Sequence, residues 1–174
     1  MDTTDRIIKE ARRIVRLCQS RDPFRIADDL GIHVLYENGF TKLKGMYQII
    51  ARNRFIILNA NLCERDQRTV CAHEIGHDRF HRDWAKSGAL QDFMFHDMSL
   101  RPEREANIFA AEVLIDDDAI LQAAGYGYSI EMIAAELQAD TNLVLIKLDG
   151  LARQGYKTRA PYKPRSDFLV ETSV

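Results

Sequence analysis

His73-Glu74-Ile75-Gly76-His77 is the stretch of this chain whose residue types and spacing could do chemistry. On an α-helix, residues four apart stand on one face, so both imidazoles can reach a single ion. Glu74 sits where it can touch a metal-bound water without itself ligating. This is the H-E-x-x-H arrangement of zinc hydrolases, with the glutamate as general base and the ion bringing the pKa of its water to about 7. A shuffled chain of this composition shows the pattern roughly once in a hundred trials. Its placement weighs more, because it follows a β-rich segment and lies inside an expected helix.

His81 shares a face with His73 and His77. Along a straight helix, however, His73 and His81 are ~12 Å apart, and metal–nitrogen bonds of ~2.0–2.1 Å cannot close that span. His81 is therefore expected to pack or to support the other two. Catalytic zinc usually takes three protein ligands and keeps one position open. His33 and His96 are candidates for the third, but the carboxylates of the helix that follows Pro102 are better placed, on a rigid element. There the apolar stripe centres on Ala106, Phe109, Ala110 and Val113. Glu105 and Glu112 flank it on one side and Glu103 on the other, so periodicity does not choose among them.

These side chains need elements to hold them. Ile7, Ile8, Ala11, Ile14, Val15 and Cys18 recur at helical spacing over residues 4–19. Asp22-Pro23 opens a short helix, Phe24 to Leu30, stopped by Gly31 as its C′ residue. Ile32 to Tyr36 reads as a strand with Asn38-Gly39 as turn chemistry, and Gly45–Ile50 with Arg54–Leu58 as a hairpin. Asn61 and Glu64 fit a capping box for a helix over 62–82. Residues 85–100 show no sustained period and form a loop. Pro102 suits the first turn of a helix to about Ile115, and shorter helices follow at 117–124, 129–138 and 141–153.

The chain has 174 residues, 46% hydrophobic and 29% charged, with a net charge of −2. That is material for one core and argues against disorder, and it offers no global reason for a nucleic-acid or membrane surface. The acidic start Met1-Asp2-Thr3-Thr4-Asp5 lacks signal-peptide character, and no apolar run approaches the ~20 residues that span a bilayer. Cys18, Cys63 and Cys71 are too few and too scattered for a disulfide scaffold or a zinc ribbon. A cytoplasmic protein is expected.

Ala72-His73-Glu74-Ile75-Gly76-His77…His81, followed by Glu105-Ala106-Asn107-Ile108-Phe109-Ala110-Ala111-Glu112-Val113-Leu114, resembles the ImmA/IrrE family of zinc metallopeptidases. The resemblance covers roughly residues 20–150. It implies an α+β fold, a small mixed sheet of about three strands packed on a zincin-like helical core with a C-terminal helical hairpin. It also implies one Zn2+ held by His73, His77 and Glu105, with Glu74 as catalytic base. The implied activity is cleavage of a regulatory protein, above all a helix-turn-helix repressor. One departure stands out: Ile115-Asp116-Asp117-Asp118 replaces the family's usual apolar pair and proline.

The expected organisation is a metallopeptidase domain over 1–125, a helix-turn-helix-like hairpin over 126–155 and a tail over 156–174. In the hairpin only Asn142 and Lys147 suit DNA contacts, so packing on the catalytic unit is the preferred reading over DNA binding. From Leu151 to Arg165 the chain carries Arg153, Lys157, Arg159, Lys163 and Arg165 and no acid; a solvated tail is the preferred reading over contact with nucleic acid or a partner. Substrate could add as a strand to the 45–50 or 54–58 segment. A second oxyanion donor is open among Tyr47, His96, Tyr126 and Tyr128. The alternative function is a zinc-holding module that binds a repressor or DNA without cutting.

Overall fold

A computed structural model describes residues 2–83, 101–158 and Leu169. The loop expected over 85–100, His96 and most of the tail lie outside the described residues. Those described form α1 Thr3–Cys18, α2 Pro23–Asp29, β1 Ile32–Glu37, β2 Gly45–Ile50, β3 Asn53–Asn59 and α3 Glu64–Phe80, then α4 Arg101–Leu114, α5 Asp117–Gly125, α6 Ile130–Glu136 and α7 Thr141–Arg153. The expected class, α+β with a small mixed sheet on a helical core, is what the chain adopts.

Local signals explain most of these boundaries. The stripe Ile7, Ile8, Ala11, Ile14 and Cys18 is buried along α1. The Asp22 side chain accepts from the Phe24 N–H, with Pro23 in the first turn of α2, and Gly31 takes φ +68° just beyond it. β2 and β3 are joined through Ala51 and Arg52 at φ 49° and 69°. Positive φ at both positions matches the right-handed twist of the paired strands.

The strand order is β1-β3-β2, with β3 parallel to β1 and antiparallel to β2. This corrects one expectation. Residues 54–58 lie in the central strand, whose backbone groups are used on both sides, so an added strand can pair with 45–50 but not with 54–58.

The N-terminus of α3 is a second correction. Asn61 does not cap it: its side-chain amide donates to Asn38 O at 3.1 Å and its N–H to Asn59 Oδ1 at 2.9 Å. Cys63 takes the N-cap position without a side-chain bond. From Thr69 to Asp78 every residue of α3 is buried. Helix α4 packs on α3, α1 and α7, which explains its burial on every face from Glu105 to Val113. At the α3–α4 contact, a Cβ on Gly76 would come within 2.9 Å of Ala106 Cα. Only glycine lets the two backbones approach this closely.

Candidate metal centre

The close contact at Gly76 brings side chains of α3 and α4 face to face. His73 Nε2 and His77 Nε2 are 3.0 Å apart, and the Glu103 carboxylate lies 3.1 Å from the first and 3.3 Å from the second. Three bonds of about 2.0–2.1 Å at tetrahedral angles place donor atoms about 3.3 Å apart. The two imidazole nitrogens and the carboxylate oxygen therefore match a zinc site in both chemistry and spacing. Among the described residues they form a group whose ligand atoms all lie within 4.8 Å of one another.

The carboxylate that joins the imidazoles is Glu103, where the family resemblance implies Glu105. The reason is helical phase. Glu103 and Asn107 are four apart and share the face of α4 that meets α3, whereas two residues along the helix turn the side chain by about 200°. Asn107 Oδ1 lies 2.8 Å from His73 Nδ1. A carboxamide oxygen only accepts, so Nδ1 carries the hydrogen and Nε2 is left to face Glu103.

Glu105 stands further out. His77 Nδ1 meets His81 Nδ1 at 3.1 Å, His81 Nε2 meets Glu105 Oε2 at 3.2 Å, and Arg101 Nε donates to Glu105 Oε1 at 2.6 Å. Donation from His77 to His81 and from His81 to Glu105 turns His77 Nε2 inward. His81, a C-cap beyond the end of α3, thus supports the pair as expected. His33 is exposed on β1 against the Phe55 ring and takes no part.

Burial is the largest single influence on each of four groups here, and their partners reverse it at two. It pushes His77 down to about 4. It would raise Glu103, but hydrogen bonds from His73 and His77 outweigh it and hold that carboxyl far below its ordinary value. For His73, burial opposes the charged form, yet the Glu103 bond leaves the imidazole above its usual value. Burial raises Glu74 to about 7, against the opposing charge of His73.

Glu74 lies next to His73 with one carboxylate oxygen, Oε2, lacking any hydrogen-bond partner among the described residues. The carboxylate also accepts from the Tyr47 backbone N–H of edge strand β2. Tyr47 does not serve as an oxyanion donor: its hydroxyl donates to buried Asp78 at 2.7 Å. Arg54 and Arg82 close around the same carboxylate at 3.0 and 2.9 Å. Tyr126 and Tyr128 are exposed between α5 and α6, with their rings 5.8 Å apart.

The remaining acids of α4 and its departure loop are explained by a separate network. Glu112 Oε2 lies 2.8 Å from Lys147 Nζ and 3.2 Å from Arg12 Nε. Asp117 pairs with Lys147 and with Arg12, and Asp116 with Arg21. Arg21 also donates to the carbonyls of Glu112 and Val113 at 2.9 and 3.0 Å, closing the end of α4. Asp116 caps α5 by accepting from Asp118 N and Ala119 N. The acidic stretch Asp116-Asp117-Asp118 thus supplies a cap and ion-pair partners. Lys147, one of the two hairpin residues that would suit a DNA contact, is fully buried in this network and cannot reach a phosphate. Asn142 Nδ2 is turned back onto Asp140 at 3.2 Å.

Residues 27–149 match the peptidase family described as the IrrE N-terminal-like domain. The chain is also similar to a protein of Bacillus phage phi105 named uncharacterized immunity region protein 2. The two are 29% identical over 129 residues, which make up 74% of this chain and 80% of that protein. None of the helices described is long and apolar enough to cross a membrane.

Proposed function

The chain belongs to the IrrE N-terminal-like peptidase family, and on that footing we propose that it is a cytoplasmic zinc endopeptidase acting on a regulatory protein. The observation that carries the reading is the convergence of His73 Nε2, His77 Nε2 and Glu103 beside Glu74, whose Oε2 has no hydrogen-bond partner among the described residues. His73, His77 and Glu103 would hold the ion, with Glu103 in the place that the family resemblance gives to Glu105. A zinc ion held there would supply a water acidic enough to ionise near neutral pH and would polarise the peptide carbonyl.

The protein's own part is orientation and proton transfer. Asn107 fixes the ring of His73, and the His81–Glu105 pair fixes that of His77. Glu74 takes the proton of the attacking water on Oε2 and hands it to the nitrogen of the leaving amine. Its backbone bond from Tyr47 holds the carboxylate next to β2, the strand on which an extended substrate would add. Because one relative carries an immunity-region name, a helix-turn-helix repressor is the proposed substrate.

The test is incubation of the full chain with the repressor encoded nearest its gene, with and without a chelator, read by mass spectrometry. Cleavage should require metal, and Glu74→Gln should keep the zinc while slowing cleavage by at least about 10²–10⁴-fold. Cleavage by that variant at the native rate would remove Glu74 from the mechanism. Metal binding with no cleavage of any repressor would favour the non-cleaving module instead.

A further inference from the structure

Beside Glu74 the molecule has a small cleft lined by residues 42–45 (Lys42, Leu43, Lys44 and Gly45), by Val70, His73 and Glu74 of α3 and by Glu103 of α4. Its last wall is Leu169, which belongs to the C-terminal stretch beyond α7. We infer that Leu169 occupies a side-chain subsite of the metal centre, so that the chain's own tail competes there with substrates. This inference rests on the peptidase reading above and names both a substrate preference and a form of self-restraint.

Three observations carry it. Leu169 is half-buried and packed against the hydrophobic core, although terminal segments are ordinarily loose unless something ties them down. What ties it is the centre itself, since the same cleft is lined by the two α3 residues and the α4 residue that the mechanism uses. With Leu169 present, the remaining space is about 30 Å³, room for little more than a water molecule. A second side chain has no place beside Glu74 until Leu169 leaves.

The position also fits the geometry of a bound peptide. Gly45 begins β2, an edge strand of the sheet, and a peptide laid along such an edge sends alternate side chains to one face. The cleft that Leu169 lines also holds the apolar side chains of Leu43 and Val70, which suit an aliphatic residue. Substrates should therefore carry a large aliphatic side chain next to the bond that is cut. Tethering gives the tail an effective concentration in the millimolar range, so a modest contact suffices to keep the subsite filled.

The experiment uses the full chain carrying Glu74→Gln, so that no probe is consumed. The probe is a fluorescein-labelled synthetic peptide of residues 165–173, followed by anisotropy. Against the native tail, Leu169→Asp should bind the probe about tenfold more tightly, Leu169→Ala by a smaller factor, and Leu169→Met not measurably differently. A probe with aspartate in place of its leucine should bind none of them. Equal affinity across the four chains, or no binding to the Leu169→Asp chain, overturns the inference. Either result leaves repressor cleavage by the native chain to stand on its own. Conversely, the expected affinity series without any repressor cleavage would sustain the occupied subsite and remove the repressor as substrate.

Discussion

Near the start of α4, Glu103 faces two imidazole nitrogens; near its end, Glu112 faces a lysine and an arginine. Both carboxylates are shielded from water, with side-chain exposures of 13% and 2%. They differ in what compensates them. Lys147 and Arg12 are permanent cations that match Glu112 within the fold. Glu103 meets groups that are neutral in their ordinary ligand form, and all three turn donor atoms to one point. A buried acid closed by lysine and arginine is a brace, whereas one gathered with imidazoles at 3.1–3.3 Å is suited to a cation from outside.

The largest expected effect is on metal binding at the first of these sites. Glu103→Ala should weaken zinc affinity by roughly four orders of magnitude, about 5.5 kcal/mol, measured by competition with a chromophoric chelator. Glu112→Ala should leave the affinity unchanged. If Glu112→Ala strips the metal and Glu103→Ala does not, the contrast drawn along α4 is inverted.

At the second site the loss should be in stability. Lys147→Ala leaves Glu112 buried with one fewer cation, and removing one partner of a buried pair costs about 3–5 kcal/mol. Urea unfolding should show this, with zinc stoichiometry intact. Replacing both partners, Lys147→Met with Glu112→Leu, should recover most of it, because an apolar pair of similar volume carries no desolvation cost. A loss below about 1 kcal/mol for the single variant would mean that solvent reaches the network.

What could be read from the chain divides along the same line between local and distant determinants. The apolar stripe of α1, the Asp22-Pro23 start of α2 and the hairpin are local, and they emerge with boundaries within a residue or two. The H-E-x-x-H pair is local as well. The third member of its cluster is not, because the choice between Glu103 and Glu105 depends on the phase at which α4 crosses α3 at Gly76 and Ala106. The four-residue spacing of Glu103 and Asn107 is visible beforehand, but only the crossing reveals that this face meets His73. Asn61 misleads for the same reason, since its amide is spent on Asn38, 23 residues away. Lys147 resembles a surface lysine until its partner, 35 residues earlier, is known.

The position of Glu105 in the outer layer sharpens the comparison further. Glu105→Gln weakens the acceptor for His81, and through it the orientation of His77. Such supporting residues typically change metal affinity by about 10–100-fold, well short of the loss expected for Glu103→Ala. Chelator competition on both variants separates a ligand from its support. Losses of equal size would restore Glu105 to the ligand set.

The smallest effect concerns the loop between α4 and α5. If the Asp116-Asp117-Asp118 stretch serves the brace and not the metal centre, changes there should register in stability alone. Asp116 accepts from two backbone N–H groups at the start of α5 and pairs with Arg21 at 2.9 Å. Asp116→Ala loses both and should cost about 1 kcal/mol, most of it the cap. Asp116→Ser keeps a capping oxygen and loses the ion pair, which is half-exposed and worth little, so it should cost only a few tenths of a kcal/mol. Thermal melts of the three chains measure the difference, and zinc affinity should not change in any of them. A fall in affinity with Asp116→Ala would tie this loop to the imidazole cluster and erase the division between the two ends of α4.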